Sequence, residues 1–248
     1  MVKPVAIYAD EGTSEIGVAS LIEAVPQFLN RPVVPILASK ILAGRLSDYA
    51  MLIIPGGADL PYCRKLNGEG NRQIRQFVVQ GGIYLGICAG AYYACQQIDF
   101  VGKDYSVKGE RELGFFAGLA QGCLPEWTNG KRFDESVKSK NAVEINFING
   151  ERETIYYHGG PRFIPFHSAR YQTIATYPDG ELAMIAGKIG KGLYFLSGVH
   201  FELQAETYQQ TVQQAILDEQ PQEQKILHYL QNYSHTTWKL LKQLDTDS

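Results

Sequence analysis

Cysteine is scarce in this sequence. Four occur in 248 residues (Cys63, Cys88, Cys95 and Cys123), and no two form a C-x-x-C pair. That number and spacing suit neither a disulfide framework nor a zinc-ligand set, so reduced thiols in a cytoplasmic protein are expected. Long apolar runs are also missing; no stretch approaches the ~20 residues that a membrane span needs. The opening ten residues, from Met1 to Asp10, are too short and too soon polar for a signal peptide. Charge of one sign is lacking as well: 23 basic against 26 acidic residues leave a net charge of −3, with no basic block. This excludes the electrostatic footprint of a nucleic-acid binder. No internal repeat or disordered linker interrupts the chain. What is present is ordinary for a soluble α/β globule with a sizeable core: 45% hydrophobic and 20% charged residues.

Short apolar runs alternate with helical patterns. Val5 to Tyr8, Val33 to Leu37, Met51 to Ile54 and Ile83 to Ile87 read as strands, the second an edge or irregular one because of Pro32 and Pro35. Thr13 or Ser14 can cap a helix through Ile16 to Ile22 that ends near Pro26, and Gly70 to Gln80 forms an amphipathic helix closed by Gly81-Gly82. Such alternation predicts a mostly parallel sheet with helices on both faces, whose ligands sit beyond the carboxyl ends of the strands. Further on, Leu113 to Leu124 reads as a Gly-rich loop packed on the sheet edge and Asn129 to Asn141 as a turn region. Ala142 to Ile148, Thr154 to Tyr157, Tyr171 to Tyr177, Leu182 to Ala186 and Leu193 to Leu196 read as strands, the first two antiparallel. The last strand is expected to run out through Ser197 to Glu202. From Leu203 the chain turns helical, with a second helix opened by Pro221 and an apolar stripe from Ile226 to Leu244. That stripe packs on the domain or on a second copy, as in a homodimer. The expected organisation is one α/β domain over residues 1–203 with a helical extension over 204–248.

The chemistry concentrates at Gly86-Ile87-Cys88-Ala89-Gly90, between the Ile83 to Ile87 strand and helical composition over Ala89 to Gln97. A Gly-x-Cys-x-Gly turn between strand and helix is the cysteine form of a nucleophile elbow, which strains the nucleophile and exposes its side chain. The positive helix end favours a thiolate there. A thiol nucleophile needs a base and a group that orients the base. His200 sits at the carboxyl end of the last strand, two residues before Glu202, and in extended backbone the two point to the same side. Oxyanion donors are expected from the Ala89 N–H and from Gly56 or Gly57, and one such donor contributes roughly 3 kcal/mol to a transition state. Plainer readings stand beside these. Cys88 can be a small buried hydrophobe, His200 a satisfied strand-end histidine and His158 polar surface; Cys63, Cys95 and Cys123 read as structural.

Three motifs in this order, Pro55-Gly56-Gly57, Gly86-Ile87-Cys88-Ala89-Gly90 and His200-x-Glu202, resemble the class I glutamine amidotransferase superfamily. The longer stretches Pro55 to Tyr62, Gly86 to Tyr93 and Tyr156 to Gly160 look most like the amidotransferase-like domain at the N-terminus of eukaryotic biotin–protein ligases. The resemblance covers roughly residues 3 to 205. It implies a flavodoxin-like sheet and a thiol hydrolase or amidotransferase-like enzyme with Cys88, His200 and Glu202 as its triad. Gly56, Gly57, Ala89, Tyr92 and His158 would line the substrate site. No cofactor and no metal is implied, and the partner is a small amide or ester. Glutamine-hydrolysing members place Gln where this chain has Tyr92, so the substrate stays open. No Gly-Arg-Gly-Arg biotinyl-adenylate loop occurs and a ligase domain has no room, so the chain is not expected to attach biotin itself. The alternative is a ligand-binding or regulatory module on the same fold. A third option, a glyoxalase-like thiol activity, would call on an acidic neighbour such as Glu11.

Overall fold

Alternate residues of the short apolar strands face opposite helical layers. In β1 (Val5–Tyr8), Val5 and Ile7 pack to one side and Ala6 and Tyr8 to the other, all fully buried. A strand covered on both faces needs no polar alternation, which is why these runs are continuously apolar. The computed structural model describes residues 2–246; Met1, Asp247 and Ser248 lie outside them. Strands β2 (Val33–Ile36), β1, β3 (Met51–Ile54), β4 (Ile83–Ile87) and β13 (Gly192–Ser197) lie side by side in that order, all parallel. Helix α1 (Glu15–Leu29) covers one face through Leu21, Ala24 and Val25. On the other face lie α2 (Ala38–Leu42), α3 (Asp59–Leu66), α4 (Glu69–Val79) and α5 (Ala89–Ala94). β2 is an edge strand, as its Pro35 requires.

Beyond β13 the sheet turns antiparallel through β12 (Leu182–Ile189), β10 (Arg162–Pro165) and β7 (Phe116–Gly122). It ends with β5 (Cys95–Val101), parallel to β7, and β6 (Ser106–Glu110). A branch from β12 carries β11 (Gln172–Thr176), β8 (Asn141–Phe147) and β9 (Arg152–Tyr157). The architecture is thus α/β, with a parallel half covered by helices on both faces and antiparallel additions. No helix among the described residues is long and apolar enough to cross a membrane.

Several expectations need correction. Leu113 to Leu124 is largely strand β7, not loop. Its inward positions include Gly118, where an added Cβ would meet the Phe116 ring at 2.2 Å, so glycine hides the alternation that marks a strand. The helix after Cys88 stops at Ala94, and Cys95 to Val101 joins a ladder with β6 and β7 instead. The tail stripe is not one helix. Chain direction changes between α7 (Gln220–Gln231) and α8 (Thr236–Thr246), where the Glu153 carboxylate accepts the His235 and Thr236 N–H groups at 2.6 and 3.1 Å. A carboxylate at a helix N-terminus satisfies orphan donors and suits the dipole.

Together with α6 (Ala205–Gln214), α7 packs on Tyr156 of β9, whereas Trp238 and Leu241 of α8 join the α1 face of the core. The stripe therefore packs on the domain. Helix α3, strands β6 and β10 and the short α2 have no counterpart in the sequence reading.

Candidate active site

Four neighbouring strands deliver the site. The turns after β1, β3, β4 and β13 meet at one edge of the parallel sheet and carry Gly12 to Ser14, Gly56-Gly57, Cys88 and His200. Cys88 has φ 50° and ψ −105°, a conformation that a non-glycine residue holds only at a cost of roughly 1–3 kcal/mol. The surroundings enforce it. The Cys88 N–H donates to the Ser197 carbonyl at 2.9 Å, and the Gly90 N–H to the Pro55 carbonyl at 3.1 Å. A Cβ on Gly90 would stand 2.0 Å from the Ile54 carbonyl oxygen, and one on Gly86 would stand 2.5 Å from the Gly90 oxygen. Both elbow glycines are thus demanded by backbone contact between β3, β4 and α5.

Gly56 faces the reacting groups. A Cβ there would meet His200 Cε1 at 2.7 Å and Cys88 Cβ at 3.6 Å. Tyr62 holds this turn by donating its hydroxyl to the Gly56 carbonyl at 3.1 Å. Gly57, at φ 139°, lies so close to Gly12 that a side chain would strike that residue's carbonyl oxygen at 1.9 Å. Ala89 opens α5, and its N–H, the first of the helix, points from the end that attracts anions.

His200 Nδ1 lies 2.8 Å from Glu202 Oε1. The pair forms as expected, but for a different reason. β13 ends at Ser197, so His200 and Glu202 stand in the turn that follows, and extended i, i+2 geometry is not what joins them. The Ser197 hydroxyl donates to the Val199 carbonyl, and the His200 N–H donates to the Tyr156 carbonyl at 2.8 Å. Glu202 is fully buried; Oε1 stands within 3.8 Å of where a Gly17 Cβ would be, in the first turn of α1, whose positive end suits a carboxylate. Burial opposes charge on His200, but Glu202 and then Cys88 outweigh it and raise its pKa well above the ordinary histidine value.

His158 is a different group. Its Nε2 lies 2.9 Å from the Asp134 carbonyl oxygen and 3.0 Å from the Ser139 hydroxyl, with the Phe133 ring 4.6 Å away. Burial first, with the His200 and Lys140 charges adding, pushes its pKa down to about 3. What it offers Cys88 is its backbone carbonyl, 3.7 Å from Sγ. Tyr92 lines the site with its ring, while its hydroxyl donates to the Gly159 carbonyl at 3.0 Å. Glu11 lies on the surface, paired with Arg64 at 2.9 Å, away from the thiol.

Two adjoining cavities flank Cys88 and have Gly57, Ala58, Tyr105, Phe133 and His158 in common. The inner one, about 170 Å³, is walled by Tyr92, Ile98, Phe100, Tyr105, Val107 and Phe133. The outer mouth, about 500 Å³, is bordered by Gly12 to Ile16, Glu135 and His200. Beyond Tyr92, sequence reasoning missed the aromatic wall, although Ile98 and Phe100 alternate as strand residues do. It also missed the buried ion pair between Asp59 and Arg111, 2.6 Å apart at the inner cavity. Among the described residues, no three His, Cys, Asp or Glu side chains are grouped to hold a metal ion.

The comparisons with known proteins agree with this architecture. Solved structures of two glutamine amidotransferases superpose with TM-scores of 0.55 and 0.54 at 16% and 15% identity, the second from Thermotoga maritima. The first superposition covers 91% of this chain and 97% of that one, the second 98% and 94%; at such identity they show the shared fold. A biotin–protein ligase of Schizosaccharomyces pombe is 32% identical over 222 residues, 82% of this chain and 34% of that protein. An uncharacterized protein of Chlamydia muridarum is 35% identical over 161 residues, 61% of this chain and 60% of its own. The chain thus spans about a third of the first relative's length and three-fifths of the second's. The family model of the N-terminal part of biotin–protein ligase matches residues 3–246, running through the helical tail. On that match, this chain belongs to the biotin–protein ligase N-terminal family.

Proposed function

We propose that this protein is an amidotransferase-like thiol hydrolase that cleaves an amide or ester through an acyl intermediate on Cys88. The observation that carries the reading is the strained Cys88 turn, held against a buried His200–Glu202 pair with Gly56 between them. His200 takes the thiol proton, and the sulfur attacks the substrate carbonyl carbon. The carbonyl oxygen becomes an oxyanion facing the Ala89 N–H and the Gly56-Gly57 backbone, donors of the kind worth about 3 kcal/mol to the transition state. The C–N or C–O bond breaks as His200 returns the proton to the leaving amine or alcohol. Water then gives a proton to His200 and attacks the thioester; the C–S bond breaks and the sulfur regains its proton. Glu202 acts through His200 as a positioning residue, fixing the ring and favouring its charged form.

Trapping tests this directly. Incubation with p-nitrophenyl esters is expected to release nitrophenol and leave an acyl mass on wild-type protein that Cys88→Ala lacks. Equal turnover by Cys88→Ala would sink the mechanism. A second reading, a ligand-binding module without turnover, draws on one observation: Tyr92 lines the inner cavity with a hydroxyl already committed to Gly159. Ligand binding that survives Cys88→Ser without any acyl adduct would favour it.

A further inference from the structure

The two cavities beside Cys88 differ in what they hold. His200, the acid that must protonate the leaving group, borders the outer mouth and is absent from the inner lining. Ala89, an oxyanion donor, borders the inner cavity, and Gly57 borders both. A carbonyl placed on Cys88 therefore directs its leaving group outward, toward His200, and its acyl group inward. The inner wall is aromatic and continuous: Phe100 meets Tyr92, Tyr105 and Phe133 at ring-centroid distances of 5.7, 5.6 and 5.7 Å.

Among the described residues, no Lys or Arg borders either cavity. The charged side chain of the inner lining, Asp59, is already neutralised by Arg111, and His158 is held uncharged. An amino-acid carboxylate would find no counter-ion in this lining, and burying one unpaired is costly.

Resting on the thiol-hydrolase reading, we infer that the substrate carries a neutral, apolar acyl group, and that the Tyr92–Phe100–Phe133 wall selects it by size. An apolar cavity of about 150 Å³ accommodates benzene, so one of about 170 Å³ suits a group of roughly six carbons. Each methylene buried there gains roughly 0.8 kcal/mol, equivalent to about a fourfold rate increase.

The test labels Cys88 with methyl, butyl, hexyl and decyl methanethiosulfonates, follows intact mass, subtracts labelling of Cys88→Ala and normalises each rate to glutathione. These reagents probe the cavity without requiring turnover. The expected rates rise about fourfold per methylene up to hexyl and then level or fall at decyl. Val107→Trp, which fills the cavity, is expected to move the break to shorter chains, and Phe133→Ala to longer ones. An anionic sulfonatoethyl reagent is expected to lag the methyl one. Fast labelling that is flat with chain length, or that favours the anionic reagent, would overturn the inference while leaving the thiol reading intact. A Cys88 inert to every reagent would overturn both.

Discussion

The turns after β9 and β13 each bring a histidine to Cys88, and they do opposite things with it. They are docked backbone to backbone: a Cβ on Gly160 would strike the Gly198 carbonyl oxygen at 1.8 Å, and one on Gly198 would strike that of Pro161 at 2.0 Å. Both rings are largely enclosed, so burial penalises charge on each. His200 has a carboxylate on Nδ1 and its pKa rises; His158 has a carbonyl and a hydroxyl on Nε2 and its pKa falls to about 3. The difference teaches that proximity to a thiol does not make a base. A buried imidazole needs a compensating negative charge before it can hold a proton.

Breaking the comparison at the thiol gives the largest effect. Cys88→Ala is expected to lower turnover by about 10⁴–10⁶-fold, as loss of a nucleophile does. Its circular dichroism should match wild type, since Cys88 contributes little packing that alanine lacks. Glu202→Gln attacks what distinguishes the two histidines. Its turnover is expected to fall by about 10³–10⁴-fold with the fold retained. A loss below tenfold would show that His200 does not depend on the carboxylate.

Gly56→Ala is the next step down. Its Cβ would press on His200 Cε1, and a displacement of about 1 Å at a reacting centre costs on the order of 10²-fold in turnover.

The smallest effect on rate is expected at His158→Asn, which should slow turnover by no more than about tenfold. Its signature lies in stability against pH. The folded pKa of His158 lies below the unfolded value of 6.5, so the unfolded chain binds more protons between about pH 3 and 6.5. Stability contributed by neutral His158 is therefore lost as pH falls through that window, and His158→Asn should flatten the acid limb of a urea-denaturation series. His200 has the reverse sign. Its folded pKa is raised, so its contribution is fully present below 6.5 and is lost as pH rises through the folded pKa. Glu202→Gln should flatten that alkaline limb and leave the acid one. Both variants flattening the same limb would contradict the assignment.

This pair also shows how far the sequence could be read. Cys88 and Gly56 were legible because an elbow and a strand-end turn impose residue types: Gly86 and Gly90 leave no room for a Cβ, and turn glycines mark strand termini. His200 and Glu202 were legible as a two-residue spacing, while the turn that joins them is set by the Ser197 and Tyr156 contacts. The fate of His158 was not legible. Its partners, Asp134 and Ser139, come from a polar stretch whose path is set only by tertiary packing. Likewise β7 was hidden by glycines at its inward positions, and β5 by the helical composition that runs on from α5. β5 supplies Ile98 and Phe100, and its partner β6 supplies Val107, so the part least visible in the sequence is the part that shapes the inner cavity. The tail was visible as apolar helix, but its break at Asn232 to His235 answers to Glu153, some 80 residues earlier.

The central claim is that Cys88 is activated by a histidine that Glu202 keeps charged. The most direct test is the rate of Cys88 carbamidomethylation by iodoacetamide at pH 7, followed by intact mass in wild type, His200→Ala, Glu202→Gln and His158→Asn. The expected wild-type rate is well above that of glutathione, falling about tenfold or more in the first two variants and staying near wild type in the third. Equal rates in all four proteins, or a loss confined to His158→Asn, would contradict it.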